Sequence, residues 1–254
     1  AIKGHTVDGH DYIQDAIKNG ASKVIAEHFV DYGIPLEVVP NTEEYLKEQL
    51  KNEYADEINK LKIIGLTGTN GKTTTAYLTY QLLNLFKEKT AYIGTIGFKA
   101  PNDEIETENT TPDTLTIYSL LLHALEIGCK TVVMEVSSHA LSFERIYGLH
   151  IDIAAFTNLT EDHLDYHKTM ENYLAAKKKL FKMCKTAVIN KDDSYADEIM
   201  KGLDCRVVTY STGDNSTYSA KGINFKPTSV EYEFLSDSII SHIKVNTGGR
   251  FTGY

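Results

Sequence analysis

The sequence predicts an α/β protein with a mostly parallel sheet flanked by helices, joined to a small antiparallel sheet and preceded by part of a small α/β unit. Three observations carry this. From residue 61, short β-branched runs alternate with helix-period segments, as in a parallel sheet covered on both faces. The stretch "GLTGTNGKTTT", residues 65–75, sets a glycine-rich loop between the first of those runs and the first of those helices. After about residue 215 the apolar runs alternate without helices, as antiparallel strands do.

In chain order, residues 1–40 hold the amphipathic segment "YIQDAIKNGA", the β-type run "SKVIAEH" and the short run "PLEVVP". The polar, helix-prone "NTEEYLKEQLKNEYADEINK" then separates this piece from the rest, so a boundary is expected near residue 60. Beyond it, strands are expected at "LKIIGLT", "TAYIGTI", "KTVVMEV", "IDIAAFTNL", "TAVIN" and "CRVVTYS". Helices are expected at "TTTAYLTYQLLNLF", "LTIYSLLLHALEIG", "TMENYLAAKKKLF" and "SYADEIM". The closing runs "STYSAKGINF", "SVEYEFL" and "IISHIKVN" read as the antiparallel strands. In such sheets ligands bind at the carboxyl ends of the parallel strands.

Composition narrows the function. With 42% hydrophobic and 24% charged residues in 254, the chain reads as an ordinary soluble protein. A net charge of -9 argues against a nucleic-acid surface, which needs dense positive charge. No apolar run is long enough to span a membrane, and the N-terminus lacks a signal sequence, so a cytoplasmic location is expected. Cys129, Cys184 and Cys205 show no metal or disulfide spacing and read as reduced thiols. The chain starts at Ala1 rather than methionine, which suggests a fragment or a processed product.

Several residues carry candidate chemistry. In the loop, Gly68, Thr69, Asn70, Gly71, Lys72, Thr73 and Thr74 suit a nucleotide phosphate: glycines admit backbone amides, the helix N-terminus adds its dipole, and Lys72 supplies a cation. Thr73 can ligate magnesium. The alternative is a glycine turn with a solvated lysine. Glu135 closes the strand "KTVVMEV", where a magnesium ligand would be needed; it could also be a helix N-terminal acid. Ser137, Ser138 and His139 hint at a serine nucleophile, but G-x-S-x-G is absent. "DHLDYH" lacks the glutamate of a zinc protease, leaving His163 for a hard metal, a phosphate or a structural hydrogen bond. Lys177 falls in the middle of the apolar face formed by Met170, Tyr173, Leu174, Leu180, Phe181 and Cys184. Either it snorkels, or it is functional or chemically modified.

Taken together, "GHTVDGHDYI", "GLTGTNGKTTT", "ENTTPDT", "MEVSSHALSFERI", "FTNLTEDHLDYHKTMENYLAAKKKLF", "VINKDD" and "GGRFTGY" resemble the Mur ligase family, over essentially the whole chain. The resemblance is to its tripeptide-forming branch. It implies residues 1–60 as a partial N-terminal UDP-sugar-binding domain with linker, and 61–254 as a truncated central ATP-binding domain. A fragment is implied, lacking the start of the N-terminal domain and the whole C-terminal domain, and inactive alone. The implied activity is ATP-dependent addition of a diamino acid, L-lysine or meso-diaminopimelate, to UDP-N-acetylmuramoyl-L-alanyl-D-glutamate through an acyl phosphate. That is a step of peptidoglycan synthesis, tied to cell shape and division, performed by a monomer with magnesium.

The same resemblance makes Lys72, Glu135, His163 and Lys177 the catalytic set and Thr73, Glu135, His163 and Lys177 the metal set, with Lys177 N-carboxylated. It assigns Asn109, Thr110, Thr111, Ser137 and Arg145 to the dipeptide substrate, and His5, Thr6 and Val7 to the uridine. Phe143 stands where relatives often carry a polar residue. Two other readings compete. A folylpolyglutamate synthase shares the chemistry but is similar to G-T-N-G-K-G-S at the loop, and a nucleotide-binding module without catalysis would need only the loop.

Overall fold

The structure, a computed structural model, describes residues 1–4, 7–213, 215–237 and 239–246. It divides into two units, Ala1–Asp56 and Glu57–Tyr254. In the first, α1 (Ile13–Lys18) is followed by β1 (Val24–Ala26) and β2 (Leu36–Val38), which pair in parallel with Val24 opposite Leu36. Ile13, Val24 and Ala26 bury together beneath Ile17, Tyr32, Ile34 and Leu36. α2 (Thr42–Ile58) is started by Asn41, whose Oδ1 accepts from the backbone N–H groups of Glu43 and Glu44 at 3.0 and 3.1 Å.

The second unit is built on β3 (Lys62–Thr67), α3 (Lys72–Leu85), β4 (Thr90–Gly94), β5 (Gly97–Ala100), β6 (Asp103–Ile105), α4 (Thr114–Glu126), β7 (Thr131–Glu135) and α5 (Ser138–Ser142). It continues with β8 (Ile151–Phe156), α6 (Leu164–His167), α7 (Met170–Phe181), β9 (Cys184–Asn190), α8 (Ala196–Met200) and β10 (Arg206–Ser211). β11 (Tyr218–Phe225), β12 (Val230–Ser236) and β13 (Ile239–Val245) complete it. Among the described residues, β3 to β13 form one 11-stranded sheet in the order β13-β12-β11-β10-β9-β8-β3-β7-β4-β5-β6.

β3 is central, with Ile64 opposite Val133 of β7 on one side and Ile153 of β8 on the other. Alternate residues of a strand face opposite layers and both faces of β3 are covered, so it is apolar from Ile63 to Leu66. Ile64 and Leu66 pack with Ala76 of α3, Tyr92 and Val133. α7 supplies fully buried Leu180 and Phe181, the latter edge-on to Phe156 of β8. After β7 the chain crosses to the other side of β3 and lays down β8, β9 and β10 in succession. That reversal places a crevice at the carboxyl ends of β3, β7 and β8.

All the expected parallel strands and the long helices form, within a residue or three at their ends. The closing strands do pair antiparallel, β11 with β12 and β12 with β13, but they extend the main sheet through a short parallel contact of β10 with β11. The edge hairpin β5–β6 and the short helices α5 and α6 were not legible in the sequence. They are too brief to show a period.

Because Leu180 is wholly buried, Leu180→Ala should destabilise the second unit by about 2–5 kcal/mol. Leu78→Ala on α3, at a side chain 52% exposed, should change stability by less than about 0.5 kcal/mol. Urea unfolding of both variants decides; equal effects would mean that α7 is not packed as described.

Candidate functional site

The glycine loop leaves β3 at Thr67 and enters α3 at Lys72. Residues just beyond β8 hold it. The Thr157 N–H donates to Thr67 O at 3.1 Å and the Thr157 hydroxyl to Asn70 O at 2.7 Å. The Asn70 N–H donates to Asn158 Oδ1 at 2.9 Å, the Thr69 N–H to Asn158 O at 2.8 Å, and the Thr160 N–H to Thr69 Oγ1 at 3.0 Å. Gly68 is obligatory here, since at φ +154° a Cβ would overlap the Thr157 hydroxyl.

Lys72 Nζ lies back over the loop, donating to Gly68 O and Thr69 O, both at 3.0 Å. Burial lowers its pKa, and the nearby carboxylates of Glu135 and Asp162 partly restore it. Thr73, next on α3, donates its hydroxyl to Glu135 Oε2 at 2.8 Å. Glu135 has no exposed surface. Its Oε1 accepts from the Tyr92 hydroxyl and from the Thr95 N–H at 2.9 Å. Burial, and then the same hydrogen bond, raise the Tyr92 pKa. Gly94 lies against this carboxylate, where any side chain would overlap Glu135 Oε1 and the Tyr92 hydroxyl.

Lys177 reaches the same loop from the other layer. The Thr169 hydroxyl starts α7 by accepting from the Asn172 N–H at 3.2 Å, and the helix then carries Tyr173 and Lys177 one turn apart on its inner face. Lys177 is 1% exposed; its Nζ donates to Gly68 O at 2.8 Å and sits 4.3 Å from the centre of the Tyr173 ring. Burial, aided by the charge of Lys72 and opposed by Asp162, lowers its pKa to about 7. Tyr173 closes the circuit with its hydroxyl 3.2 Å from Thr69 Oγ1.

His163 is exposed and has left-handed backbone, φ 51°, costly for a residue other than glycine. Its ring packs edge-on against His139 at 5.0 Å and, more distantly, against Tyr173 at 6.3 Å. The hinted serine chemistry takes another form: Ser138 Oγ lies 2.9 Å from His167 Nε2, and both residues are buried. No substrate carbonyl reaches such a pair, so it ties α5 to α6. Burial lowers the pKa of both His139 and His167.

The residues expected to meet a dipeptide are only partly free for it. Thr111 is buried; its hydroxyl donates to Glu135 O at 2.9 Å and accepts from the Ser137 N–H at 3.0 Å. Arg145 donates to Thr111 O at 2.7 Å, and Ser137 caps α5 by accepting from the Ala140 N–H at 3.1 Å. Thr110 lies with its hydroxyl 3.1 Å from that of Thr95, while Asn109 is exposed. Val7 is exposed, and His5, Thr6 and "GGRFTGY" lie outside the described residues. Thus Lys72, Thr73, Glu135 and Lys177 gather around one loop. Tyr92, Gly94, Thr95 and Tyr173 were missed, although Tyr92 and Gly94 sit at the carboxyl end of a strand, where the fold class directs attention.

A cavity of about 790 Å³ opens beside the loop, lined by Asn70, Gly71, Thr75, Asn158, Asn190 and Tyr210 among others. Among the described residues no group of three or more His, Cys, Asp or Glu side chains is arranged to hold a metal unaided. Glu135 with Thr73 is nonetheless a fitting partial set: a buried carboxylate beside a hydroxyl. Magnesium commonly takes one or two such ligands and completes its shell with phosphate and water.

The strand, glycine loop and helix, with an acid at the end of the adjoining strand, define a P-loop α/β protein. The Mur ligase middle domain model matches residues 66–254, and the Mur ligase family catalytic domain model matches residues 1–60. The chain belongs to the Mur ligase family. It is 38% identical to the UDP-N-acetylmuramoyl-L-alanyl-D-glutamate--2,6-diaminopimelate ligase of Bacillus cereus, with 100% of this chain and 53% of that protein aligned. A ligase of the same name, numbered 2, from Clostridium acetobutylicum is 40% identical over 100% of this chain and 54% of its own length. A solved structure of a ligase of that name superposes with a TM-score of 0.81 at 32% identity, covering 95% of this chain and 51% of the other. The chain spans about half the length of the curated relatives it matches.

The lowered pKa of Lys177 sets a pH test. Its ordinary value is 10.5 and its folded value about 7, so between these the unfolded chain binds more protons and stability rises with pH. In buffer free of carbon dioxide, urea unfolding should show a rise of at most about 1.4 kcal/mol per pH unit relative to Lys177→Met. Parallel profiles would mean that Lys177 does not titrate as its burial demands.

Proposed function

We propose that this chain forms the ATP-binding part of a ligase that joins a diamino acid, L-lysine or meso-diaminopimelate, to UDP-N-acetylmuramoyl-L-alanyl-D-glutamate in peptidoglycan synthesis. The observation that carries this reading is the meeting of Lys72 and the buried Lys177 on one carbonyl of the phosphate loop, that of Gly68. A plain nucleotide-binding module has no use for the second lysine. ATP and a UDP-sugar are cytoplasmic compounds, and among the described residues no helix is long and apolar enough to cross a membrane. The protein is proposed to act in the cytoplasm as a monomer.

In this reading the loop amides and Lys72 take the β- and γ-phosphates, Lys72 exchanging its two loop carbonyls for phosphate oxygens. The nucleoside enters the adjoining cavity. Thr73 and Glu135 would hold magnesium, and His163 with Lys177 a second ion; bound there, the metal neutralises phosphate charge. The D-glutamyl carboxylate attacks the γ-phosphorus, giving an acyl phosphate and ADP. The diamino acid's amine then attacks the acyl carbon and phosphate leaves, with the amine's proton passing to solvent. Arg145, Ser137, Thr110 and Asn109 line the approach of the carboxylate, with Arg145 as its pairing cation.

The role of Lys177 follows from its chemistry. An amine with a pKa near 7 is substantially neutral at physiological pH and can add to carbon dioxide, releasing a proton and becoming an anionic carbamate. The carbamate pairs with Lys72 and suits a hard cation.

Lys72→Ala should lose ATP binding by at least about tenfold, a change of about 1.4 kcal/mol, in calorimetry. Thr73→Ala should mainly weaken the magnesium dependence. Unchanged affinity in Lys72→Ala would take the loop out of the site. With carbon-13 bicarbonate at mildly alkaline pH, NMR should show one carbamate resonance that Lys177→Ala removes and Lys178→Ala keeps. A spectrum without it, from protein that binds ATP and magnesium, refutes the carbamate while leaving the loop assignment intact.

A further inference from the structure

Cys184, the first residue of β9, and Cys205, just before β10, bring their sulfurs to 3.7 Å, and both are free thiols. They lie at the amino ends of the strands, the opposite edge of the sheet from the candidate site. From this geometry we infer that the pair is a modification site, closing to an intramolecular disulfide when the protein meets a low-molecular-weight disulfide. Sulfurs already in van der Waals contact need about 1.7 Å of further approach to bond. Among the described residues no third ligand joins them, which argues against a metal site.

The surroundings supply access and order. Both cysteines line an open cavity of about 640 Å³ together with Lys182, Lys185, Asp204 and Arg206. Lys185 pairs with Asp152 and Asp204 offsets one further charge, so Lys182 and Arg206 together leave the cavity net positive. Such a field draws anionic disulfides such as oxidised glutathione into the cavity. Cys205 is half-buried and reachable, whereas Cys184 is buried and its pKa is raised by burial and by the neighbouring thiol. Cys205 therefore attacks first: its thiolate takes one sulfur of the small disulfide and expels the other half as thiolate. Cys184, losing its proton to solvent, then attacks the Cys205 sulfur and expels the remaining half. Two protein thiols are oxidised to one disulfide and one small disulfide is reduced to two thiols. Both cysteines also aim at Phe181 O, at 3.4 and 3.8 Å, so closure withdraws two S–H donors from the last turn of α7.

The test uses oxidised glutathione at mildly alkaline pH, alkylation of remaining thiols, and mass spectrometry of the digest. The expected product is a Cys184–Cys205 linked peptide lacking two hydrogens, with buried Cys129 alkylated only after unfolding. Cys184→Ser should stop at a stable glutathione adduct on Cys205, and Cys205→Ser should react at least about tenfold more slowly at Cys184. Separate adducts on the two cysteines of the unsubstituted protein, or full alkylation of both, overturns the inference. Should a serine variant fail to fold, the unsubstituted protein alone still gives one of these answers.

Discussion

Hydrogen bonds from Thr157, Asn158 and Thr160 hold the loop of residues 67–70, and the rest of the site takes its geometry from that grip. A glycine-rich loop left to itself is conformationally permissive. Here Thr67 O, the Thr69 and Asn70 N–H groups and Asn70 O are paired, each bond contributing on the order of 1 kcal/mol, so the path of the loop is fixed from the β8 side. Only the adjacency of β8 to β3 makes this possible, and that adjacency comes from the chain's crossing over β3 after β7. Moving β8 one place outward would leave the loop unsupported.

The same adjacency explains why two lysines from different layers converge. α3 begins at the loop and packs on one face of β3; α7 buries Leu180 and Phe181 on the other. Gly68 sits at the edge between the layers and offers its carbonyl to both. On the β7 side, Glu135 is held from below by Tyr92 and from the side by Thr95, leaving Thr73 as its contact towards the loop. Gly94 keeps that space clear.

Much of this was legible because it rests on local pattern. β3, α3, β7 and α7 announce themselves by period, and Gly68, Lys72, Thr73 and Glu135 by their place relative to those elements. Lys177 was visible as a cation on an apolar stripe. What stayed hidden depends on contacts distant in sequence. Nothing around Thr157 and Asn158 reveals that they hold a loop some 87 residues away, nor does Tyr92 reveal a carboxylate partner 43 residues on. Thr111 was read as a ligand contact because motifs record identity, not orientation, and its hydroxyl proves committed to the backbone on either side. The Ser138–His167 pair was missed for the opposite reason: the sequence placed Ser138 beside His139, whereas the helices bring it to a histidine 29 residues later.

The charge balance of the loop is the feature that makes the site chemically unsettled. Two ammonium groups on one carbonyl repel, and burial removes the water that would screen them. Lys72, half-buried and near Glu135 and Asp162, keeps more of its charge; Lys177, farther inside, gives its up more readily. A neutral amine over the Tyr173 ring loses the cation–π attraction yet keeps the hydrogen bond to Gly68. Proton loss thus relieves the repulsion at little structural cost. An anionic form of Lys177 would go further, converting a repulsive pair into an attractive one across the loop. A leucine at this position would fill the stripe and spare Lys72 the repulsion, yet it would give up the hydrogen bond to Gly68 O, so packing alone does not account for a lysine here.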